Sequence, residues 1–221
     1  MWLLATRNRP DRAKELIEAM LATGDVPDVA VMMDCAPYDI EWPAHWHIHS
    51  SDEHLELQRA WNGLFRLHPD EKTYGLITDH ARPKSLWSKA LEAAAGDWGM
   101  AFCHDNHKRV NPMTGRRRIP AASCYGGELV RKMGYVWPDF CTHMYGDDAL
   151  EEIGHSLGIV TFCESVIVDD LLSKKGEFPL DDNNRRLYKG RVYVGDDGDA
   201  FADWMAHDKG KLLEGIRKCL P

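Results

Sequence analysis

No stretch of this sequence is apolar for long enough to cross a bilayer, and Met1 to Ala5 is too short for the apolar region of a signal segment. Positive charge is in deficit. With 27 Lys and Arg against 35 Asp and Glu, the formal net charge is −8, which disfavours indiscriminate affinity for nucleic acid or acidic membranes. The 6 cysteines (35, 103, 124, 141, 163 and 219) are scattered and contain no C-x-x-C pair. That spacing speaks against a disulfide framework or a zinc knuckle and for reduced thiols in a cytoplasmic protein. Internal repeats and low-complexity tracts are absent too. The 221 residues therefore suit one large domain, or a domain with a tail, able to bury a sizeable core.

What is present is organised around Thr73-Tyr74-Gly75-Leu76-Ile77-Thr78-Asp79-His80-Ala81-Arg82-Pro83. The apolar run reads as a buried strand that stops at polar residues, and Pro83 is expected to end it and lead into a helix to Ala95. A carboxylate beside an imidazole at the carboxyl end of a buried strand is where an open α/β sheet keeps its ligand site. The competing reading makes Asp79 or Ser85 the N-cap of the next helix.

The chain opens as β-α-β. Trp2 to Ala5 reads as a strand and Val29 to Met33 as a second, ending at Asp34. Between them Pro10 starts a helix with apolar positions Ala13, Leu16, Ile17, Met20 and Leu21. Thr6-Arg7-Asn8-Arg9-Pro10 puts two guanidinium groups beside free helix N–H groups, a cradle suited to phosphate. An acid in the position of Asp34 commonly takes a base or ribose hydroxyl.

His45, His47 and His49 alternate, so an extended strand would place all three on one face. A polar strand edge is the preferred reading, with a metal face the alternative. Glu53 to Leu67 reads as a helix carrying Asn62. His104-Asp105-Asn106-His107 looks metal-like and reads as easily as a polar loop, since no third ligand sits at fixed spacing. Lys108, Arg109, Arg116, Arg117 and Arg118 are the basic concentration of the chain, in a loop punctuated by Pro112 and Gly115. Solvent and phosphate are equally fitting partners for it. Asp147 and Asp148 stand before a helix spanning Ala149 to Leu157, as caps or as a general base. Ile159 to Phe162 and Ser165 to Val168 read as two strands, the second ending at Asp169-Asp170, and Phe201 to Leu220 as a terminal helix.

Taken in order, these motifs resemble the GT-A nucleotide-sugar glycosyltransferases, specifically the small family-two-like enzymes of bacteria and phages. Thr6-Arg7-Asn8-Arg9-Pro10 is similar to that family's nucleotide-binding opening, and Asp34 to the acid that contacts the base. Ala60-Trp61-Asn62 resembles the helix before the metal strand, and Thr78-Asp79-His80 stands in the place of the DxD-type motif. Tyr145-Gly146-Asp147-Asp148 resembles the acidic acceptor-side motif, and Val166 to Asp170 the later metal-side position. The likeness covers roughly residues 1–176.

It implies an α/β fold, a GT-A-like, Rossmann-like mixed sheet flanked by helices. Residues 1–176 would form the catalytic domain and 177–221 a C-terminal extension. By the same resemblance Thr6, Arg7, Arg9, Asp34, Asn62 and Asp79 bind the nucleotide sugar. Asp79, His80 and Asp170 hold Mn²⁺ or Mg²⁺, and Asp147 or Asp148 is the catalytic base of an inverting transfer. Two departures stand out: Thr-Asp-His replaces Asp-x-Asp, and Asp170 replaces a common His, so Asp79 alone or Asp79 with His80 takes the metal.

A cytoplasmic, metal-dependent glycosyltransferase is thus expected. Its acceptor is a glycan, a small molecule or, in a phage context, a hydroxymethylated base in DNA held through the basic loop. A nucleotidyltransferase is the competing enzyme, though its opening loop is normally glycine-rich and this one has no glycine. A non-catalytic sugar-nucleotide or glycan binder is the third reading, and a zinc hydrolase built on the histidines the last.

Overall fold

A computed structural model describes residues 1–34, 37–105, 119–120, 122–142, 144–171 and 192–221, with side chains in the last segment from 195 onward. The opening β-α-β is as the sequence pattern predicts: β1 (Trp2–Arg7), α1 (Pro10–Thr23) and β2 (Val29–Asp34). Then follow β3 (His47–Ser51), α2 (Leu57–Leu67), β4 (Thr73–Thr78), β5 (Ala81–Pro83), α3 (Ser88–Ala95) and β6 (Met100–His104). The described chain closes with β7 (Ala122–Gly126), α4 (Gly127–Met133), α5 (Gly146–Leu157), β8 (Val160–Asp170), α6 (Val192–His207) and α7 (Lys209–Arg217).

The strands form one mixed sheet in the order β3-β2-β1-β4-β7-β6-β8-β5. Strands β3, β2, β1 and β4 run parallel, β7 is antiparallel to both neighbours, β8 runs parallel to β6, and β5 pairs antiparallel with the end of β8. Alternate residues of each central strand enter opposite cores. Leu3, Ala30, Met32 and Leu76 face α2, α4, α5 and the last two helices. Trp2, Leu4, Val31 and Ile77 face α1 and α3. A sheet covered on both faces needs near-continuous apolar strands, which is what β1, β2 and β4 supply. Gly75 is required by this packing, since a Cβ there would lie 2.2 Å from the ring of its register partner Trp2.

Four expectations shift. Asp25, not Asp79 or Ser85, caps α3: its carboxylate accepts the N–H groups of Trp87 at 2.7 Å and Ser88 at 2.8 Å, and the Ser88 hydroxyl at 2.5 Å. Pro83 does not end the β4 strand by starting a helix. It lies in β5, an edge strand, where a missing N–H is tolerated. The two expected strands after α5 are one 11-residue strand, β8, whose register against β6 shifts between Cys103 and His104. The terminal helix is two helices, and Trp204, Leu213 and Ile216 of that pair complete the core beneath α5.

Asp25 is buried and carries donors from 62 and 63 residues away. Its removal strands two backbone N–H groups, each costing ~1–3 kcal/mol. Asp25→Ala should therefore lose about 2–4 kcal/mol in urea unfolding, whereas a loss under about 0.5 kcal/mol would mean that α3 is held by its apolar face alone.

Candidate functional site

β1 lies between β2 and β4, so the chain leaves β1 on one side through β2 and β3 and returns on the other as β4. Such a reversal opens a crevice at the carboxyl ends of the strands. Thr6 and Arg7 close β1, Asp34 closes β2 and Asp79 follows β4. Thr6 Oγ1 donates to Asp79 Oδ2 at 3.0 Å, and Arg9 Nη1 donates to Asp79 Oδ1 at 3.3 Å. Asn8 adopts a left-handed φ of 51°, turning the chain between these donors. The Tyr38 hydroxyl accepts the Arg9 backbone N–H at 2.9 Å and lies 3.4 Å from Thr6 Oγ1.

Asp79 is buried, and burial by itself pushes its carboxyl up. The neighbouring His80, Arg9 and Thr6 outweigh it and hold the group below its usual 3.8. Its backbone is fixed as well. Arg82 Nη1 donates to the Asp79 carbonyl at 2.9 Å, while Arg82 Nη2 pairs with Glu15 of α1.

β5 is what brings the metal candidates together. Its register sets Ala81 opposite Asp170, so the His80 ring stands between two acids. Nδ1 is 3.5 Å from Asp79 Oδ1 and Nε2 is 3.5 Å from Asp170 Oδ1, distances of electrostatic contact rather than strong hydrogen bonds. Oxygen, nitrogen and oxygen donors suit Mn²⁺ and, less well, Mg²⁺. Among the described residues no group of three or more His, Cys, Asp and Glu is arranged to hold a metal ion. An ion at Asp79 would need ligands beyond these side chains, such as diphosphate oxygens.

Asp34 is buried at the crevice rim. Its Oδ1 accepts the Leu55 N–H at 2.7 Å, its Oδ2 contacts His54 Nδ1 at 2.9 Å, and Arg7 Nε lies 3.7 Å away. Arg7 Nη1 in turn approaches the His54 ring nitrogens at 2.8 and 3.0 Å. His54 escaped the sequence reading because it fell inside an expected helix from Glu53. The helix starts at Leu57, and the freed segment folds back on Asp34. Tyr38, Arg82 and Glu15 were missed as well, since nothing in local spacing shows that they converge.

Asn62 is not gathered with these residues. It is buried, and its side chain is spent on backbone: Nδ2 donates to the Trp137 carbonyl at 2.8 Å, and Oδ1 accepts the Val136 and Trp137 N–H groups at 3.0 and 3.1 Å. It ties α2 to the turn before α5.

Asp147 and Asp148 lie in the first turn of α5, three residues earlier in the helix than the pattern suggests, and both are partly exposed. A carboxylate there is stabilised by the helix dipole. Gly146 permits this start, since a Cβ would fall 2.2 Å from the Trp137 ring. The approach to α5 is held from the C-terminal helix: Asp197 accepts the Thr142 N–H and hydroxyl at 2.9 and 2.8 Å and the Met144 N–H at 2.7 Å. Tyr145, left-handed at φ 62°, stacks on Phe201 with ring centroids 5.6 Å apart. Burial, followed by the charges of Asp197, Asp147, Asp148 and Asp139, pushes the Cys141 thiol up to about 12 and leaves it unreactive. Lys108, Arg109, Arg116, Arg117 and Arg118 lie outside the described residues.

No family model and no curated protein sequence matches the chain. Solved structures do. S. aureus TarS 1-349 in complex with UDP superposes with a TM-score of 0.54 at 12% identity, covering 76% of this chain and 58% of that one. The same TarS fragment in complex with UDP-GlcNAc gives 0.53 at 12% identity, covering 76% and 56%. A Bacillus anthracis protein described as a glucose-1-phosphate thymidylyltransferase, in complex with sucrose, gives 0.50 at 8% identity, covering 76% and 88%. The chain thus spans little more than half of TarS 1-349. These likenesses establish the fold, a mixed α/β sheet flanked by helices that is shared with these structures. No helix of the described residues is long and apolar enough to cross a membrane.

The depressed Asp79 carboxyl has a measurable signature. Its ionised form favours the folded state at every pH above the ordinary 3.8, and that contribution is lost as pH falls below it. The stability gap between wild type and Asp79→Asn should be flat from about pH 7 to about pH 5 and narrow below about 3.8. A gap independent of pH throughout the acid range would show that the carboxylate is not held by charge.

Proposed function

We propose that the chain is a nucleotide-sugar-dependent glycosyltransferase whose donor diphosphate lies in the crevice between β1 and β4. The observation that carries this reading is the convergence of Thr6, Arg7, Arg9, Asp34 and the ionised Asp79 at the switch point of a GT-A-like sheet. The UDP and UDP-GlcNAc bound by the TarS neighbours support the donor class.

Asp34 would take the base or ribose, and Arg7 and Arg9 the diphosphate, whose charge grows as the glycosidic bond breaks. Asp79, with His80 and Asp170, would hold Mn²⁺ or Mg²⁺, which when bound would neutralise the leaving diphosphate. Asp147 would accept the proton of the acceptor hydroxyl, with Asp148 supporting it or exchanging roles. A base must be ionised before reaction, and the dipole of α5 favours that state. The four acids around Cys141 favour a neutral hydroxyl acceptor, as on a glycan or small molecule, at this end of the site. A hydroxymethylated base in DNA would instead need the basic run Lys108 to Arg118. The thymidylyltransferase-like neighbour keeps a nucleotidyltransferase as second reading. Release of pyrophosphate from a nucleoside triphosphate and a sugar 1-phosphate would identify it.

A panel of nucleotide sugars, read by thermal shift with and without Mn²⁺, tests the donor site. The matching donor should stabilise the protein in a metal-dependent manner, and Asp79→Asn should abolish the metal-dependent part. Arg9→Ala should weaken donor binding by ~1.5–3 kcal/mol, the worth of a hydrogen bond to a charged group. Full retention of the shift in Asp79→Asn would remove the metal assignment.

The base is tested by transfer itself. Asp147→Asn should slow transfer roughly 10²–10⁴-fold while leaving donor affinity nearly intact. If only Asp148→Asn is inactive, the two acids exchange roles. Normal transfer by both variants, or a product that keeps the donor's anomeric configuration, overturns the inverting mechanism.

A further inference from the structure

A cavity of about 370 Å³ opens between the segment that leads into α5 and the last two helices. Tyr135, Asp139 and Phe140 line it from the first, and Asp203, Trp204 and Asp208 from the second. Its size falls within the ~300–1,000 Å³ range of small-molecule sites. The lining divides by chemistry. Trp204 is buried and stacks on Phe140, with ring centroids 5.2 Å apart and planes 20° apart, so the inner wall is aromatic. The three acids are exposed and stand at the rim. Among the described lining residues there is no Lys, Arg or His.

The hydroxyl of Tyr135 is buried and has no hydrogen-bond partner among the described residues, which is costly unless a ligand or water supplies one. Burial, followed by the charges of Asp139 and Cys141, pushes this hydroxyl up, so it keeps its proton and can donate. An ionised carboxylate only accepts, so the rim calls for a ligand rich in donors, and it repels phosphate. A cation is not required. Lys211 already lies 3.5 Å from Asp208 and His207 3.5 Å from Asp203, both outside the lining. A pyranose meets these demands, because its C–H face packs on aromatic rings and its hydroxyls donate to carboxylates. We propose that this cavity binds one neutral sugar residue of a glycan.

Position ties the cavity to the candidate base. Asp139 lies with Asp147 and Asp148 among the acids whose charge acts on Cys141. From Phe140 and Trp204 a run of near-parallel rings continues through Phe201 to Tyr145, with centroids 6.0 and 5.6 Å apart. Tyr145 is the N-cap of α5, whose first turn carries Asp147. The role of the site rests on the glycosyltransferase reading: the acceptor is a glycan with one sugar seated in the cavity and its reacting hydroxyl at Asp147. Binding of the sugar itself does not depend on that reading.

Full-length protein, without donor or metal, is titrated with methyl glycosides of glucose, galactose and N-acetylglucosamine and followed by saturation-transfer NMR and calorimetry. Choline and glucose 1-phosphate serve as cationic and anionic probes. At least one neutral glycoside should bind saturably and more tightly than either charged probe. Asp139→Asn, at an exposed position, should weaken that binding about fivefold through loss of a charge-assisted hydrogen bond. Phe140→Leu keeps an apolar side chain but removes the ring, and should weaken it about threefold or more. Unchanged Tm in Asp139→Asn shows that the loss is local. Absence of saturable binding by every glycoside, tighter binding of choline, or undiminished binding by both variants would each overturn the proposal. Glycoside binding by a protein that responds to no nucleotide sugar would keep this site and remove the glycosyltransferase reading. A donor response without glycoside binding would do the reverse.

Discussion

The carboxylate of Asp79 is the constraint on which the crevice depends. Removing a carboxylate from water is costly, and this one remains charged only because donors from separate parts of the chain surround it. Thr6 comes from the end of β1, Arg9 from the turn into α1, and His80 from the turn into β5. The Glu15–Arg82 pair holds the backbone behind it and couples α1 to β5. Each donor is therefore placed by the same sheet order that opens the crevice, and the fold and the charged centre are not separable.

The chain divides its charges between the two ends of the site. Arginines and hydroxyls gather where β1 and β4 part, and four acids gather around Cys141 at the start of α5. Under the proposed glycosyl transfer this asymmetry would have a use, because one side would receive a departing anion and the other would keep a base ionised. The acids on the second side are structurally tied to the C-terminal helices. Asp197 holds the 142–144 segment through three hydrogen bonds, and Phe201 backs Tyr145. Residues that read as an appendage to a nucleotide-binding unit are packed beneath the helix that carries the candidate base.

The parts of this arrangement governed by short-range pattern were legible in the sequence. Apolar runs that stop at Ala5, at Asp34 and before Asp79 marked three strands, although β1 runs on to Arg7, and Pro10 marked the first helix. Partners chosen by long-range topology were not legible. Asp25 reaches α3 across 62 residues, His54 folds onto Asp34 only because α2 begins later than its pattern suggests, and Asn62 turns to the backbone of Val136 and Trp137. The short strand β5 was hidden because Pro83 is a strand breaker everywhere except on an edge. The alternating histidines show the same limit: His47 and His49 lie in β3, but His45 lies in the turn before it.

The pairing of β5 with the end of β8 has a consequence for how the protein is made. Ala81 and Asp170 are about 90 residues apart in the chain, so His80 acquires its second acid only when one of the last strands docks. At a synthesis rate of roughly 5–20 residues per second, some 5–20 s separate the emergence of these two halves from the ribosome. During that interval the opening β-α-β unit is complete, yet β6 has no parallel neighbour and the turn after β4 has no opposing wall. Contacts of such long sequence separation form late and slow the overall rate. A growing chain therefore cannot acquire its full set of candidate metal ligands before β8 is synthesised, and the unpaired edge of β6 is the surface that must be kept from other strands until then.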